Sequence, residues 1–112
     1  MLNLLDSPAP LFHALGDPTR LGIIERLSHG PTPVSHLSRD LPISLPGVMQ
    51  HLAVLENCGL VRSEKTGRVR TCMLNPDALK TVTGWCDMQR TRWEERLDAL
   101  GRYLDENPEE PS

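Results

Sequence analysis

The stretch ISLPGVMQHLAVLENCGLV, residues 43–61, decides the fold, because it carries the start, the apolar stripe and the end of one helix. Ser44 is a favourable N-cap, and Pro46 falls in the first turn, where no intrahelical amide bond is lost. Gly59 is typical of the position just past a helix C-terminus. We therefore predict an amphipathic helix over residues 45–58. Its buried stripe, which spans about 60° at 100° per residue, is Val48, Leu52 and Leu55.

The outward side of this helix suits the major groove of DNA. Pro46 and Gly47 keep its N-terminal end small, so this end approaches base edges closely. Gln50, one turn in, is placed to read an adenine edge through two hydrogen bonds, worth about 1–3 kcal/mol of discrimination when well formed. The alternative is that Gln50 is only a solvent-exposed residue of the helix and contacts no DNA. We call residues 45–58 the reading helix.

Three neighbouring side chains receive further roles at the same surface. Met49, on the flank, is placed to touch a thymine methyl. Ser44 and the first amides of the helix are placed to hold a phosphate. His51 lies nearer the core side, where it packs, caps or reaches a phosphate. The predicted DNA-reading residues are Ser44, Pro46, Gly47, Met49, Gln50 and His51.

Helical patterns also fill the residues before the reading helix. A short helix is predicted over residues 9–15. Asp17-Pro18 then pairs an N-cap with proline at the first helical position, and Gly30-Pro31 ends this second helix. Thr32-Pro33 repeats the start signal for a third helix, which ends near Leu41-Pro42. The predicted buried stripe of the second helix is Leu21, Ile24 and Leu27.

The periodicity changes to that of strands after the reading helix. Strands are predicted over residues 60–65 and 68–74, joined by Thr66-Gly67 as a two-residue loop. Alternation along the second strand predicts one apolar and one basic face. The predicted apolar face is Val69, Thr71 and Met73, and the basic face is Arg68, Arg70 and Cys72.

The hairpin concentrates positive charge on an acidic chain. Four cations and one acidic residue give it a net charge of +3 over residues 62–70. We predict a wing over residues 60–74 that grips DNA phosphates. The alternative is that these charges only protect a sheet edge from aggregation. The predicted wing contacts are Arg62, Lys65, Arg68 and Arg70.

A long C-terminal helix is predicted over residues 76–104, followed by an acidic, flexible tail at 105–112. It carries more apolar surface than short helices and a hairpin can cover, and such a patch usually marks an interface. A two-fold dimer through this helix and the first one would place two reading helices about one DNA turn (~34 Å) apart. The alternative is packing onto its own domain. The predicted dimer interface is Phe12, Trp85, Trp93, Leu97, Leu100 and Leu104.

Size and composition are compatible with this architecture. A chain of 112 residues supports one domain, here residues 1–104, which is mainly α with a small β-hairpin. Its net charge is −3, but residues 1–75 carry +1 and residues 76–112 carry −4, so a basic surface remains possible. We expect a cytoplasmic protein without a membrane span, because no signal-peptide pattern or long apolar run occurs. We also expect no enzyme activity, because phosphate-loop, nucleophile-elbow and metal-spaced His/Glu motifs are missing.

Several of these motifs occur together in one known family. Residues 11–104 resemble the ArsR-type winged helix-turn-helix transcriptional regulators. The WEERLDAL stretch at 93–100 resembles a subgroup that lacks metal sites. The resemblance implies a homodimeric DNA-binding repressor, usually of its own or a neighbouring operon, although many relatives carry serine at the position of Met49. The matching pieces are LFHALGDPTR at 11–20, MQHLAVLE at 49–56, GLV at 59–61 and the wing turn Gly67-Arg68.

The metal sites known in this family are not matched. Its arsenic and cadmium sensors carry Cys-x-Cys in the third helix, where the corresponding positions are Pro33 and Ser35, with His36 beside them. Its zinc sensors use histidine and carboxylates on the last helix, and no histidine follows His51. We expect no metal and no cofactor. We predict that Cys58, Cys72 and Cys86 are small buried residues of the core. The alternatives are a site formed by all three thiols and a redox pair of Cys58 and Cys72.

The sequence therefore predicts a sequence-specific DNA-binding transcriptional regulator, with a homodimeric repressor at an inverted-repeat operator as the favoured form. Its partners would be double-stranded DNA and a second copy of the chain. Two other functions stay open. One is a thiol- or metal-responsive repressor that uses the three cysteines. The other is a winged helix for protein interaction, whose basic hairpin contacts an acidic partner.

Overall fold

The winged-helix architecture is confirmed by a computed structural model that describes residues 7–108. The described residues fall into two compact units, divided between Val82 and Thr83. The first holds every element up to the start of the last helix, and the second holds the rest of that helix. The elements are α1 (Ala9–Leu15), α2 (Pro18–Leu27), β1 (Thr32–Pro33), α3 (Val34–Asp40), α4 (Leu45–Asn57), β2 (Val61–Thr66), β3 (Val69–Leu74) and α5 (Pro76–Glu106).

Side-chain caps start α2 and α4 where the sequence predicts them. Asp17 Oδ2 accepts a hydrogen bond from the amide of Arg20 at 3.0 Å. Ser44 Oγ accepts one from the amide of Gly47 at 3.3 Å. Each side chain satisfies an amide that has no partner within its helix. The reading helix is therefore α4.

The end of α4 is a Schellman motif. Gly59 adopts a φ of +84°, which costs little only for glycine. The amide of Leu60 then donates to the carbonyl of Leu55 at 3.0 Å, and the amide of Gly59 donates to that of Glu56 at 3.1 Å. This ending turns the chain from the reading helix directly into β2.

One apolar core holds the first unit together. The predicted stripe of α4 is confirmed, since Val48, Leu52 and Leu55 are all buried. The predicted stripe of α2 is wrong at Leu21, which is exposed. The buried residues of α2 are Ile23, Ile24 and Leu27, and at 100° per residue Leu21 lies roughly 110° from their mean direction.

The prediction that Thr32-Pro33 starts a helix is wrong, because these residues form β1. Thr32 pairs with Cys72 and Pro33 with Thr71, so the sheet has three antiparallel strands in the order β1-β3-β2. Thr32 Oγ1 donates to the carbonyl of Gly30 at 3.0 Å and caps no helix. Proline is tolerated here because β1 is an edge strand.

The predicted hairpin loop is shifted by one residue. Thr66 pairs with Val69, so the loop is Gly67-Arg68 rather than Thr66-Gly67. Gly67 supplies the positive φ, at +63°. A one-residue difference at a turn is small along the chain. It nevertheless changes Thr66 from a loop residue into the last residue of β2.

The predicted apolar face of β3 is also wrong. Cys72 is fully buried, whereas Val69 is exposed. The core contacts the inner face of β2 and β3 near their base only, and toward the turn both faces meet solvent. Along the outer half of the wing, an apolar side chain such as Val69 is therefore not necessarily buried. The residues of the inner face that pack in or against the core are Val61, Cys72 and Leu74.

The last helix continues to Glu106, two residues past its predicted end. Asn75 holds its start, since Asn75 Oδ1 accepts from the amide of Asp77 at 3.3 Å and Nδ2 donates to the carbonyl of Gly59 at 3.0 Å. Leu79 and Val82 pack against the core. Residues 109–112 of the predicted tail lie outside the described part of the chain. Within residues 7–108, no helix is both long and apolar enough to cross a bilayer.

Candidate nucleic-acid interface

The reading helix presents three different sides to its surroundings. At 100° per residue, Gln50 points roughly 170° away from the buried stripe. Met49 lies about 90° from the stripe on the side of the wing, and His51 lies about 70° from it on the side of α2. The buried stripe thus fixes which side chains face outward. The fully outward residues are Pro46, Gln50, Ala53 and Asn57, and all four are exposed.

The N-terminal end of α4 is open to a large ligand. Pro46 is exposed and Gly47 is half-buried. A Cβ added at Gly47 would meet Ser44 Oγ at 3.4 Å and the Cβ of Ile43 at 3.8 Å, which are ordinary contacts. The fold itself therefore tolerates a side chain at Gly47. Its absence leaves the first turn of α4 accessible from outside.

On the α2 side, His51 belongs to a polar cluster with Arg20 and Asp17. His51 Nδ1 lies 3.3 Å from Arg20 Nη1 and 3.8 Å from Asp17 Oδ2. The backbone hydrogen bond from Arg20 to the carboxylate, helped by the charges of Arg20 and His51, lowers the pKa of Asp17 from its ordinary value of 3.8. Among the roles predicted for His51, the geometry favours packing against α2 over reaching a phosphate.

On the wing side, α4 and the hairpin form a basic groove. We call it the helix–wing groove. Arg70 Nε donates to Ser63 Oγ at 3.0 Å, which orients its guanidinium. The groove thus brings one predicted reading residue together with three of the four predicted wing cations. The start of α3 closes one end of it. The residues that line it are Pro33, Val34, Ser35, Leu45, Met49, Lys65, Arg68, Val69 and Arg70.

Arg62, the fourth predicted wing cation, lies elsewhere. It pairs with Met73 near the base of the hairpin, whereas Lys65 pairs with Arg70 three residues further along β2. Because side chains alternate between faces, Arg62 points to the face opposite Lys65 and Arg70. It is exposed and does not line the groove.

Sequence reasoning missed the β1 and α3 residues that line the groove, two of its exposed apolar residues, and Arg20, which lies outside it. Leu45 and Val69 were not assigned to it, although both are exposed and line the groove. A local signal existed for Leu45, which precedes Met49 by four residues and so shares its side of the helix. Arg20 was named only as the last residue of the LFHALGDPTR stretch and was given no role. Its contact with His51 joins two helices, and no local pattern predicts such a contact.

The three cysteines occupy different environments. Cys72 is buried, and burial together with the charge of Glu56 raises the pKa of its thiol to about 11. Cys58 is half-buried and its Sγ donates to the carbonyl of Leu55 at 3.3 Å, while Cys86 is exposed. The prediction that all three are buried is therefore wrong for Cys86. In the described part of the chain, no three or more His, Cys, Asp or Glu side chains are grouped to hold a metal ion.

The predicted dimer residues are all exposed. Within the second unit, α5 shows a stripe of large apolar side chains that are 49 to 61% exposed. At 100° per residue they fall within about 60° of one another, so they form one continuous side of the helix. This stripe is Trp93, Leu97, Leu100 and Leu104. The other two predicted residues are exposed to 36% at Phe12 and 44% at Trp85.

An exposed helix N-terminus beside a basic β-wing is the arrangement of winged helix-turn-helix DNA-binding proteins. Residues 17–63 match the sequence profile of the protein family described as "Bacterial regulatory protein, arsR family". The chain is 40% identical over 99 residues to the HTH-type transcriptional regulator Rv2034 of Mycobacterium tuberculosis, covering 88% of this chain and 90% of that protein. It is 40% identical over 98 residues to the arsenical resistance operon repressor of Escherichia coli, covering 87% and 84%.

A solved structure shows the same likeness. The ArsR-like transcriptional regulator from Rhodococcus sp. RHA1 superposes with a TM-score of 0.77 at 31% identity, covering 86% of this chain and 91% of that one. The chain belongs to the ArsR family of DNA-binding transcriptional regulators. The relationship predicted from the sequence is confirmed.

Proposed function

We propose that this regulator is a homodimeric repressor that binds an inverted-repeat operator upstream of its own or a neighbouring operon. The observation that carries the proposal is the helix–wing groove, which Lys65, Arg68 and Arg70 line together with Leu45 and Met49 of the reading helix. Three cations at one groove suit a polyanion, and the exposed outward side of α4 suits a base edge. Because its target is chromosomal DNA, the protein would act in the cytoplasm.

Each residue of the reading helix has one role in this proposal. Gln50 faces directly away from the core and reads a base edge. Pro46 and Gly47 let the first turn enter the major groove. Ser44 caps α4 through its oxygen lone pair, so its hydroxyl hydrogen stays available to a phosphate. His51 holds α4 against α2 and supports the reading residues from behind.

The homodimer is supported by the apolar stripe of α5. A monomeric protein rarely exposes a contiguous patch of large apolar side chains, because leaving them in water forfeits the free energy of burial. A second copy provides an identical stripe, and a two-fold axis would repeat the reading helix on the two halves of an inverted repeat. Bound across a promoter, such a dimer blocks RNA polymerase sterically.

Binding to DNA is tested with the duplex upstream of the gene. We expect a complex that survives an excess of random duplex and that weakens steeply as salt rises. Absence of binding even in dilute buffer would contradict the proposal and leave the protein-interaction function, in which the basic groove contacts an acidic partner.

The dimer is tested by sedimentation equilibrium of the purified chain and of Leu100→Arg. We expect the parent chain to be dimeric and the variant to be monomeric, because an arginine in the apolar stripe would be buried without a partner. The variant should also lose affinity for the full inverted repeat far more than for a half-site. A parent chain that stays monomeric at all concentrations would contradict the proposed dimer.

A further inference from the structure

The helix–wing groove contains three large apolar side chains that the core does not cover. Leu45 is 49% exposed, Met49 is 37% exposed and Val69 is 51% exposed. Leu45 and Met49 lie one turn apart on the wing side of α4, and Val69 is the first residue after the wing turn. The helix and the strand therefore both contribute exposed apolar residues to the lining of one groove.

The surroundings of this apolar surface indicate what covers it. Lys65, Arg68 and Arg70 line the same groove, and none of the described side chains that line it is acidic. An uncharged apolar partner would leave these cations without counterions. Duplex DNA supplies both kinds of contact, because its phosphates pair with cations and its major groove displays the C5-methyl of thymine. That methyl is the apolar group that the four unmodified bases present there.

We propose that Leu45, Met49 and Val69 form an apolar contact for thymine C5-methyl groups, and that each operator half-site carries thymine beside the base read by Gln50. This inference rests on the proposed DNA-binding function and adds the chemistry of one operator position. Specificity at that position comes from burying a methyl group. A cytosine there presents no methyl, so its apolar partners on the protein stay uncovered.

The test uses an operator selected from random duplexes of unmodified nucleotides. Each thymine of a half-site is replaced singly by deoxyuridine, which removes the methyl and keeps every hydrogen-bonding group. We expect one or two positions at which affinity falls about fourfold, equivalent to the ~0.8 kcal/mol of one buried methyl-sized group. At the other thymines affinity should change less than about twofold.

Protein variants assign that methyl to the groove. In Leu45→Ala, Met49→Ala or Val69→Ala, the sensitive thymine should tolerate deoxyuridine with less than about a twofold loss, because the apolar partner is already gone. All three parent residues are exposed, so the core stays intact. Leu21→Ala is the matched control, since Leu21 is an exposed leucine of α2 outside the groove. It should retain the fourfold sensitivity.

The outcomes separate this inference from the function on which it rests. An operator that binds tightly but tolerates deoxyuridine at every thymine overturns the inference and leaves the repressor intact. Equal deoxyuridine sensitivity in the parent and in all three groove variants also overturns it, because other residues then contact the methyl. Failure to select any preferred duplex overturns sequence-specific binding and the inference together.

Discussion

Arg20 and His51 lie 31 residues apart in the chain, yet Arg20 Nη1 and His51 Nδ1 are 3.3 Å apart. The same guanidinium donates through Nε to the carbonyl of Ala14 at 2.8 Å and through Nη2 to that of His13 at 3.3 Å. One side chain therefore joins the last turn of α1 to the reading helix. It orients the helix without contacting the groove.

Replacing Arg20 with lysine should lower the free energy of unfolding by about 1.5–3 kcal/mol. A lysine ammonium does not reproduce the planar fork that reaches two carbonyls and a ring nitrogen. Urea unfolding measures the change. Arg39→Lys on α3, an exposed arginine, is the control and should stay within about 0.5 kcal/mol of the parent. Equal effects of the two variants would show that Arg20 does not link the helices.

Asp17 should make the free energy of unfolding depend on pH in the acid range. Its pKa is lowered in the folded chain, so folding favours the carboxylate. The stabilisation is fully present above the ordinary pKa of 3.8, which the unfolded chain has, and is lost as the pH falls through the lower folded value. Asp17→Asn is the comparison, because asparagine still caps α2 but carries no charge. The free energy of unfolding of both proteins is measured between about pH 3 and pH 6, a range that includes the pKa of an unfolded aspartate. The difference between them should be constant near pH 6 and shrink below about pH 4. If the difference in free energy of unfolding between the two proteins did not change with pH, the Asp17 carboxylate would not stabilise the fold through its charge.

The Cys72 thiol should be inert in the folded protein. With a pKa of about 11, roughly one molecule in a thousand carries the thiolate at pH 8, and burial also blocks access. In a Cys58→Ser, Cys86→Ser variant, reaction with a disulfide reagent should be at least about 100-fold slower when folded than when unfolded in urea. Similar rates in the two states would reopen Cys72 as part of a redox switch.

Local chemistry explains what the sequence predicted well. Caps such as Asp17 and Ser44, and the glycine at Gly59, act within a few residues of themselves, so their patterns are visible in the chain. Thr32 was misread because the same residue type starts a helix or fills an edge strand, and its partner Cys72 is 40 residues away. Burial along β3 was misread because the core covers only the base of the wing.

The interface was predictable to a similar extent. The outward position of Gln50 follows from helical geometry once the stripe of α4 is known. The grouping of Met49 with Lys65, Arg68 and Arg70 depends on how the hairpin folds back over the helix, which no local pattern encodes. Arg62 lies outside the groove because it pairs with Met73 near the base of the hairpin, whereas the hairpin residues that line the groove lie at and beside the turn.

Arg68→Ala should weaken binding to every duplex and reduce the slope of log affinity against log salt by about one. Arg68 lines the helix–wing groove and is proposed to neutralise one phosphate. Arg62→Ala is the matched control, because it removes the same charge from the base of the same hairpin, outside the groove. Its salt slope should stay near that of the parent. Equal slopes for the two variants would mean that the wing acts only through its overall charge.

The most direct test of the central claim, that the outward side of α4 reads bases, is the affinity of Gln50→Ala for the selected operator and for random duplex. We expect operator binding to fall about 5- to 150-fold, the equivalent of ~1–3 kcal/mol for a base contact, while random binding changes less than about twofold. An equal loss on both duplexes, or no loss on the operator, would contradict the claim.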